Sequence, residues 1–279
     1  MMDQDKLKKW IETNCPVLWS LLNQRARRYL PTGLIEYISG GTIILNPIED
    51  VLKDLESMCG SKSLEDNYRR DFSGVNSGTQ VWDLFEEIAL CSSLGKISDR
   101  IILRPPTGKG TYSDCLFSLK GFDIFAEVKR YPDPWPPIYR LGSARHEKKP
   151  NIRSISKSPL DEKPHDTARP RSMDLRSKLR DVHRQFPERS INILFIFHQS
   201  FGDSKRYLAQ SFLGDSNFFE NGAYKLKEDG LFYDEEWRNI SACCLSRLNS
   251  DSQVIFPFVW ENPRAFMKLP KQVLESLKL

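Results

Sequence analysis

The stretch Tyr112-Ser-Asp-Cys-Leu-Phe-Ser-Leu-Lys-Gly-Phe-Asp-Ile-Phe-Ala-Glu-Val-Lys-Arg130 decides the fold of this chain. From residue 122 to residue 130 it has the two-residue side-chain period of a β-strand, so Glu127 and Lys129 lie on one face. Lys120-Gly121 separates this strand from a preceding one, and glycine tolerates the positive φ that a two-residue hairpin turn demands. The stretch therefore predicts a β-hairpin formed by residues 112–119 and 122–130.

The predicted hairpin places two carboxylates opposite each other. A two-residue or a symmetric four-residue loop puts Asp114 directly across the ladder from Glu127, with Cβ atoms about 4.5–5.5 Å apart. Two facing carboxylates repel, and oxygen ligands without Cys or His suit a compensating Mg²⁺ or Mn²⁺ ion. Lys129 would project beside that ion, where its ammonium can stabilise charge developing on a phosphate. The pattern indicates metal-assisted phosphodiester hydrolysis; the simpler alternative is an amphipathic hairpin with a surface salt bridge.

The segments around the hairpin predict an α/β domain. A helix with one apolar stripe is predicted from a cap at Thr79 to Leu94, with Gly95 as its stop. A short strand at residues 100–103 and the hairpin follow, then a helix over residues 172–186. The apolar run at residues 191–197, in which Asn192 is the one polar residue, predicts a buried central strand. The order over residues 79–198 is therefore helix, three strands, helix, strand.

With Asp114 on one strand, Glu127-Val-Lys129 on the next, and glutamates on the preceding helix, the chain resembles the PD-(D/E)XK nuclease superfamily. The resemblance implies a restriction-endonuclease-like αβββαβ core, with a mixed central sheet flanked by helices. It implies that Asp114 and Glu127 hold the metal and that Lys129 is the catalytic lysine. A helix glutamate would complete the metal site, with Glu86 favoured and Glu87 the close second. Ser113 stands where the family name has proline, which leaves the metal ligand in place.

The resemblance implies a Mg²⁺- or Mn²⁺-dependent endonuclease that acts on DNA in restriction, phage defence or DNA processing. RNA is the alternative substrate. Because cutting both strands of a duplex often uses two copies of such a site, a homodimer is the expected assembly. The second hypothesis is a non-catalytic module with the nuclease fold that binds nucleic acid or a partner protein.

The charge of the chain is concentrated in one region. Overall, 41 Lys and Arg stand against 37 Asp and Glu, a mild net charge of +4. Residues 131–190 contain fourteen Lys and Arg against eight Asp and Glu, so the basic excess lies beside the predicted metal site, where phosphates would need neutralising. The Pro-rich part of this region, residues 131–171, is predicted to be a long loop or insertion. Arg130, Arg176 and Lys178 are candidate phosphate contacts.

Length and composition bound the remaining possibilities. The 279 residues suffice for one large domain or two small ones, and the sequence divides into a mostly helical accessory region, 1–72, and a nuclease-like domain, 73–279. The longest apolar runs are far shorter than the roughly 20 residues that span a bilayer, so no membrane partner is expected. The opening residues lack the features of a secretory signal. Six scattered cysteines favour a reducing, cytoplasmic location over a disulfide framework or structural zinc site.

Overall fold

The fold contains both helices and strands. The structure describes residues 4–39, 45–108, 110–131, 168–198, 204–214, 216–218, 224–226, 229–249 and 253–277. In this computed structural model the N-terminal region consists of the helices α1 (Gln4–Asn14), α2 (Pro16–Leu21), α3 (Gln24–Arg28), α4 (Thr32–Ser39), α5 (Leu45–Cys59) and α6 (Ser61–Gly74). After it come α7 (Gly78–Ile97), β1 (Arg100–Leu103), β2 (Cys115–Leu119), β3 (Phe122–Arg130), α8 (Ala168–Leu179) and β4 (Ile191–Phe197). The chain continues as α9 (Ser204–Leu213), β5 (Ser216–Phe218), β6 (Tyr224–Leu226), β7 (Ala242–Leu248), β8 (Val254–Glu261) and α10 (Lys271–Leu277). Short 3₁₀ turns lie at Val182–Gln185, Leu231–Tyr233 and Glu235–Asn239.

The hairpin of β2 and β3 has the predicted turn and register. Lys120 and Gly121 form the whole loop, and their φ values of 54° and 80° belong to the left-handed conformation that a two-residue turn requires. The antiparallel ladder extends to the pair of Cys115 with Ala126, as the sequence predicts. The first strand begins at Cys115, however, and not at the predicted Tyr112. The facing chain there contains two prolines, which have no N–H to donate to a ladder.

The six-stranded sheet has the order β1-β2-β3-β4-β7-β8 and is mixed. The strands β1, β2 and β3 are antiparallel neighbours, β3-β4-β7 run parallel, and β8 returns antiparallel to β7. The strand β4 lies in the middle and every one of its residues is buried, which confirms the buried central strand. The structure is thus an α/β fold with helices flanking a mixed sheet.

Each face of the sheet is covered by its own apolar cluster. On one face, Ile124, Ala126 and Phe195 join a core that also contains the buried apolar residues of α7. On the other face, Leu194 and Ile196 pack with the buried residues of α8 and α9. Helices α4 and α5 pack against α7, and their buried side chains belong to the first cluster. The interior of the N-terminal helices is therefore continuous with that of the sheet, while the division into residues 1–72 and 73–279 stays a prediction.

The ends of α7 differ from those predicted. Ser77, and not Thr79, caps the helix, because its side chain accepts a hydrogen bond from the backbone N–H of Gln80. Gly95 does not stop the helix, which continues to Ile97. A Cβ at position 95 would lie 2.4 Å from the Sδ of Met58, so the glycine serves the close packing of α5 on α7.

The connection from β3 to β4 is described only in part. Residues 132–167, most of the predicted insertion 131–171, lie outside the described residues. The helix α8 begins at Ala168, within that predicted insertion, and ends at Leu179, where a separate 3₁₀ turn replaces the predicted continuation to residue 186. In the described ranges, no helix is both long enough and apolar enough to cross a membrane.

Candidate metal-binding site

Asp114 lies at the end of β2, directly before the ladder begins. Its Oδ2 accepts a hydrogen bond of 2.6 Å from the backbone N–H of Val128, so the aspartate is attached to β3 between Glu127 and Lys129. Desolvation raises the pKa of Asp114 to about 7, and the charge of Glu127 adds to the rise. The ladder ends at the pair next to Asp114 and Glu127, and the two carboxyls are close enough for the charge of Glu127 to act on Asp114, while their direct pairing across the ladder stays a prediction.

Glu127 is 1% exposed and is paired with the lysine two residues further along β3. Lys129 Nζ lies 2.6 Å from Glu127 Oε1, and its side chain is 33% exposed. The other oxygen, Oε2, is buried and accepts no hydrogen bond of full geometry from a described residue, although the backbone N–H of Asp114 lies near enough to lower the pKa of the carboxyl. Desolvation raises the pKa of Glu127 to about 7 although the ammonium of Lys129 lowers it. An unsatisfied buried carboxylate oxygen is costly, which favours a bound cation at this atom.

The two glutamates of α7 have different neighbours. Glu87 Oε1 accepts hydrogen bonds from Arg104 Nη2 at 3.1 Å and from Nε at 3.3 Å. Desolvation raises the pKa of Glu87 to about 7, and the next largest cause is the charge of Asp114. Glu86 is 2% exposed, and its Oε2 lies 3.8 Å from Arg130 Nε.

The third carboxylate of the site is a choice between these two side chains. Glu86 and Glu87 both line the cleft, so the preference for Glu86 stays a prediction. The electrostatics favour Glu87, because its charge acts on Glu127 and the charge of Asp114 acts on it.

Asp114, Lys129 and the two glutamates of α7 line a cleft with a volume of about 350 Å³. It is lined by Asp83, Glu86, Glu87, Asp114, Val128, Lys129 and Arg130. A space of this size is within the range of ligand-binding pockets and is open to solvent at the end of the hairpin. The cleft therefore gives a small ligand access to Asp114, Lys129 and the helix glutamates, while Glu127 is buried and is not among the lining residues.

The donor set fits a hard divalent cation. Among the described residues, no three or more Asp, Glu, His or Cys side chains are already grouped as a cage for an ion. Mg²⁺, however, is commonly held by one or two carboxylates together with waters and substrate phosphates. Asp114, Glu127 and a helix glutamate supply only oxygen donors, and the unsatisfied Glu127 Oε2 is among them. The residues present thus fit Mg²⁺ or Mn²⁺ better than zinc.

The three predicted phosphate contacts lie in different surroundings. Arg130 lines the cleft, where its Nη1 lies 3.1 Å from Asp83 Oδ1. Lys178 is half exposed, with its Nζ 2.8 Å from Asp174 Oδ2. Arg176 has a structural role instead: its guanidinium donates to the backbone carbonyls of Gln210 and Asp229 and so joins α8 to α9. Arg130 is therefore the one of the three that the structure brings to the predicted site.

Arg104 belongs to the site but is not identified from the sequence. It follows β1 and contacts Glu87 through its side chain, while its backbone N–H donates to the carbonyl of Asp114 at 2.9 Å. The only local sign is its position between an apolar strand and two prolines. That pattern predicts a strand end and not a contact with a helix 17 residues earlier.

Comparisons of this chain with protein-family models, with curated proteins and with solved structures gave no match.

Proposed function

We propose that this chain is a metal-dependent nuclease that uses Mg²⁺ or Mn²⁺ to hydrolyse phosphodiester bonds in DNA, in restriction, phage defence or DNA processing. The observation that carries the proposal is the group of carboxylates at the hairpin end, with Lys129 Nζ 2.6 Å from Glu127 and a cleft open beside them. Three of these carboxyls, Asp114, Glu127 and Glu87, have pKa values raised to about 7. Sites built for catalysis commonly contain such perturbed groups.

The element order supports the same proposal. Helix α7, strands β1 to β3, helix α8 and strand β4 follow the αβββαβ order of the PD-(D/E)XK core. The strands β1, β2 and β3 form an antiparallel meander, and β4 adds parallel to β3 after a long crossover. Asp114, Glu127 and Lys129 lie on or directly beside β2 and β3, next to the helix α7 that carries Glu86 and Glu87, and this supports the proposal.

Each residue has a distinct task in the proposed reaction. A divalent cation bound here supplies polarisation of the phosphate and a more acidic water. Asp114 and Glu127 would hold it, and Glu87 or Glu86 would complete the oxygen donors. The backbone N–H of Val128 fixes the direction of Asp114. Lys129 presents its ammonium at the cleft, where it would stabilise charge that develops on the phosphate oxygens.

A second candidate function rests on the Lys129–Glu127 ion pair itself. The ammonium already compensates one oxygen of the buried carboxylate without a metal ion. That arrangement would serve a non-catalytic scaffold that keeps the fold and binds nucleic acid or protein. The two candidates differ in metal affinity and in cleavage, so one set of measurements separates them.

The decisive experiment compares cleavage of supercoiled plasmid by the wild type, Lys129→Ala and Asp114→Asn in Mg²⁺, Mn²⁺ and EDTA. Asp123→Asn is the matched control, since Asp123 lies on the same strand with 58% of its side chain exposed. We expect metal-dependent cleavage by the wild type and the control, and a loss of about 100-fold or more in the two site variants.

Cleavage at wild-type rates by both folded site variants would overturn the assignment of the site. A wild type that binds DNA but neither binds Mn²⁺ nor cleaves would support the scaffold. Parallel digestion of matched RNA determines the substrate class, and sedimentation with and without duplex tests the proposed homodimer.

A further inference from the structure

Arg104 connects the N-terminal helices to the proposed metal site through one guanidinium group. Its Nη1 lies 2.6 Å from the backbone carbonyl oxygen of Asn67 and 2.6 Å from Asp71 Oδ2, both on α6. Its Nε and Nη2 donate to Glu87 on α7. The five donors of a planar guanidinium allow these contacts at the same time, whereas an ammonium is a point charge. Arg104 is therefore a direct polar link between α6 and the carboxylate cluster, beside the side-chain hydrogen bond of Tyr68 on α6 to Glu87.

The backbone of Arg104 makes a second connection. Its N–H donates to the carbonyl oxygen of Asp114 at 2.9 Å. Its φ of 45° lies in the left-handed region, which is uncommon for a residue other than glycine and persists where the surroundings fix it. Arg104 thus contacts Glu87 with its side chain and Asp114 with its main chain.

The guanidinium of Arg104 also contacts the aromatic ring of Tyr68. The Cζ of Arg104 lies 4.6 Å from the centre of this ring, a cation–π contact, and Tyr68 is fully buried. The guanidinium side chain is 25% exposed, so it is held between α6 and α7 and is not a mobile surface group.

We infer that Arg104 is a positioning residue of the proposed metal site, which fixes Glu87 relative to Asp114 and makes α6 part of the catalytic apparatus. The inference rests on the proposed function and adds to it a task for the N-terminal helices. Partners that orient metal-binding carboxylates typically change metal affinity 10- to 100-fold when they are lost. Arg104 would act through Glu87 and Asp114 and would not touch the substrate.

The test is calorimetry with Mn²⁺ alone, together with plasmid cleavage, on the full chain. Arg104→Lys keeps the positive charge but loses the planar guanidinium with its five donors. We expect the Mn²⁺ affinity of this variant to fall about 10-fold. The cleavage rate at saturating DNA should fall at least as much, while the DNA concentration for half-maximal rate stays within about twofold. The matched control is Arg100→Ala, on β1 with a side chain 57% exposed, which should bind Mn²⁺ like the wild type.

Asp71→Asn provides an independent arm in case Arg104→Lys does not fold. This substitution weakens the contact of Arg104 with α6 and leaves Arg104 and Glu87 in place. We therefore expect a smaller loss of Mn²⁺ affinity, about threefold. Wild-type Mn²⁺ affinity in folded Arg104→Lys, or in Asp71→Asn if the first variant is unfolded, would overturn the inference and leave the proposed nuclease intact. A wild type that binds no Mn²⁺ would overturn both.

Discussion

The backbone N–H of Val128 donates a 2.6 Å hydrogen bond to Asp114 Oδ2, which fixes the aspartate to the strand that carries Glu127 and Lys129. The position of Asp114 is therefore set by the main chain of β3, which is paired on its other side with β4. An asparagine at position 114 keeps an oxygen that can accept this bond and removes the charge.

We predict that Asp114→Asn is more stable than the wild type in the absence of metal. At pH 8 the substitution removes a desolvated charge that Glu127 repels, so the Tm in EDTA should rise by about 2–4 °C. Mn²⁺ affinity should fall at least tenfold. Differential scanning calorimetry and titration calorimetry give both values, and a variant that loses stability while retaining Mn²⁺ affinity would contradict the role of Asp114.

The carboxylate cluster should make the metal-free protein less stable as pH rises. The pKa values of Asp114, Glu127 and Glu87 are raised to about 7, from ordinary values of 3.8 for Asp and 4.5 for Glu. Between about pH 4 and pH 7 the folded chain therefore binds more protons than the unfolded chain, so its stability falls through this window. Because Mn²⁺ competes with these protons, its affinity should rise as pH increases through 7.

Thermal unfolding in EDTA at pH 5 and pH 8 tests whether the stability of the metal-free protein falls as pH rises. The decrease in Tm from pH 5 to pH 8 should be smaller in Asp114→Asn than in the wild type. The variant lacks the carboxyl of residue 114, while both proteins contain all the other titrating groups. Equal pH dependence in the two proteins would show that Asp114 does not titrate in this range.

Glu87 should contribute more to metal binding than Glu86. The charge of Glu87 acts on Glu127, whereas Glu86 Oε2 lies 3.8 Å from Arg130 Nε. Glu87→Gln should therefore weaken Mn²⁺ binding about tenfold, and Glu86→Gln less than threefold. Calorimetry on the two variants decides between them, and the reverse order of affinities would restore Glu86 as the third carboxylate.

Glu49 should be a stability determinant of the N-terminal helices. It is 1% exposed, and its two carboxylate oxygens accept hydrogen bonds from the backbone N–H groups of Val17 at 3.1 Å and Leu18 at 3.0 Å. These are N–H groups of the first turn of α2, where Cys15 gives no side-chain cap. Glu49→Gln leaves one of them unsatisfied and should lower the free energy of unfolding by about 1–3 kcal/mol.

Urea denaturation of Glu49→Gln measures this effect. The exposed neighbour Asp50 supplies the control, since Asp50→Asn should change stability by less than about 0.5 kcal/mol. An equal change in both variants would mean that the contacts of Glu49 with α2 contribute nothing beyond surface charge.

The parts of the site that the sequence predicts are those encoded locally. Lys120-Gly121 specifies the turn, the alternation after it specifies the faces, and together they place Asp114 near Glu127. The apolar run of β4, which only Asn192 interrupts, predicts a central strand for the same reason, because burial on both faces leaves no polar side.

The remainder depends on contacts between distant segments. Arg104 meets α6 37 residues earlier in the chain, and no local pattern reports which glutamate of α7 it will reach. Gly95 has the sequence appearance of a helix stop, yet the helix continues past it to Ile97, and the side chain of Met58 on α5 packs against it. The choice between Glu86 and Glu87 depends on the same packing of α5 and α6 against α7.

The tight turn at Lys120-Gly121 makes the spacing of the proposed catalytic groups a property of loop length. One extra residue in that turn could shift the pairing register of β2 by one position. Every side chain of β2 would then point to the opposite face of the sheet. Asp114 would then point into the apolar layer beneath α7, and the buried Phe117 would point away from it. A sequence change that leaves this core intact therefore also keeps Asp114 and Glu127 in place relative to each other.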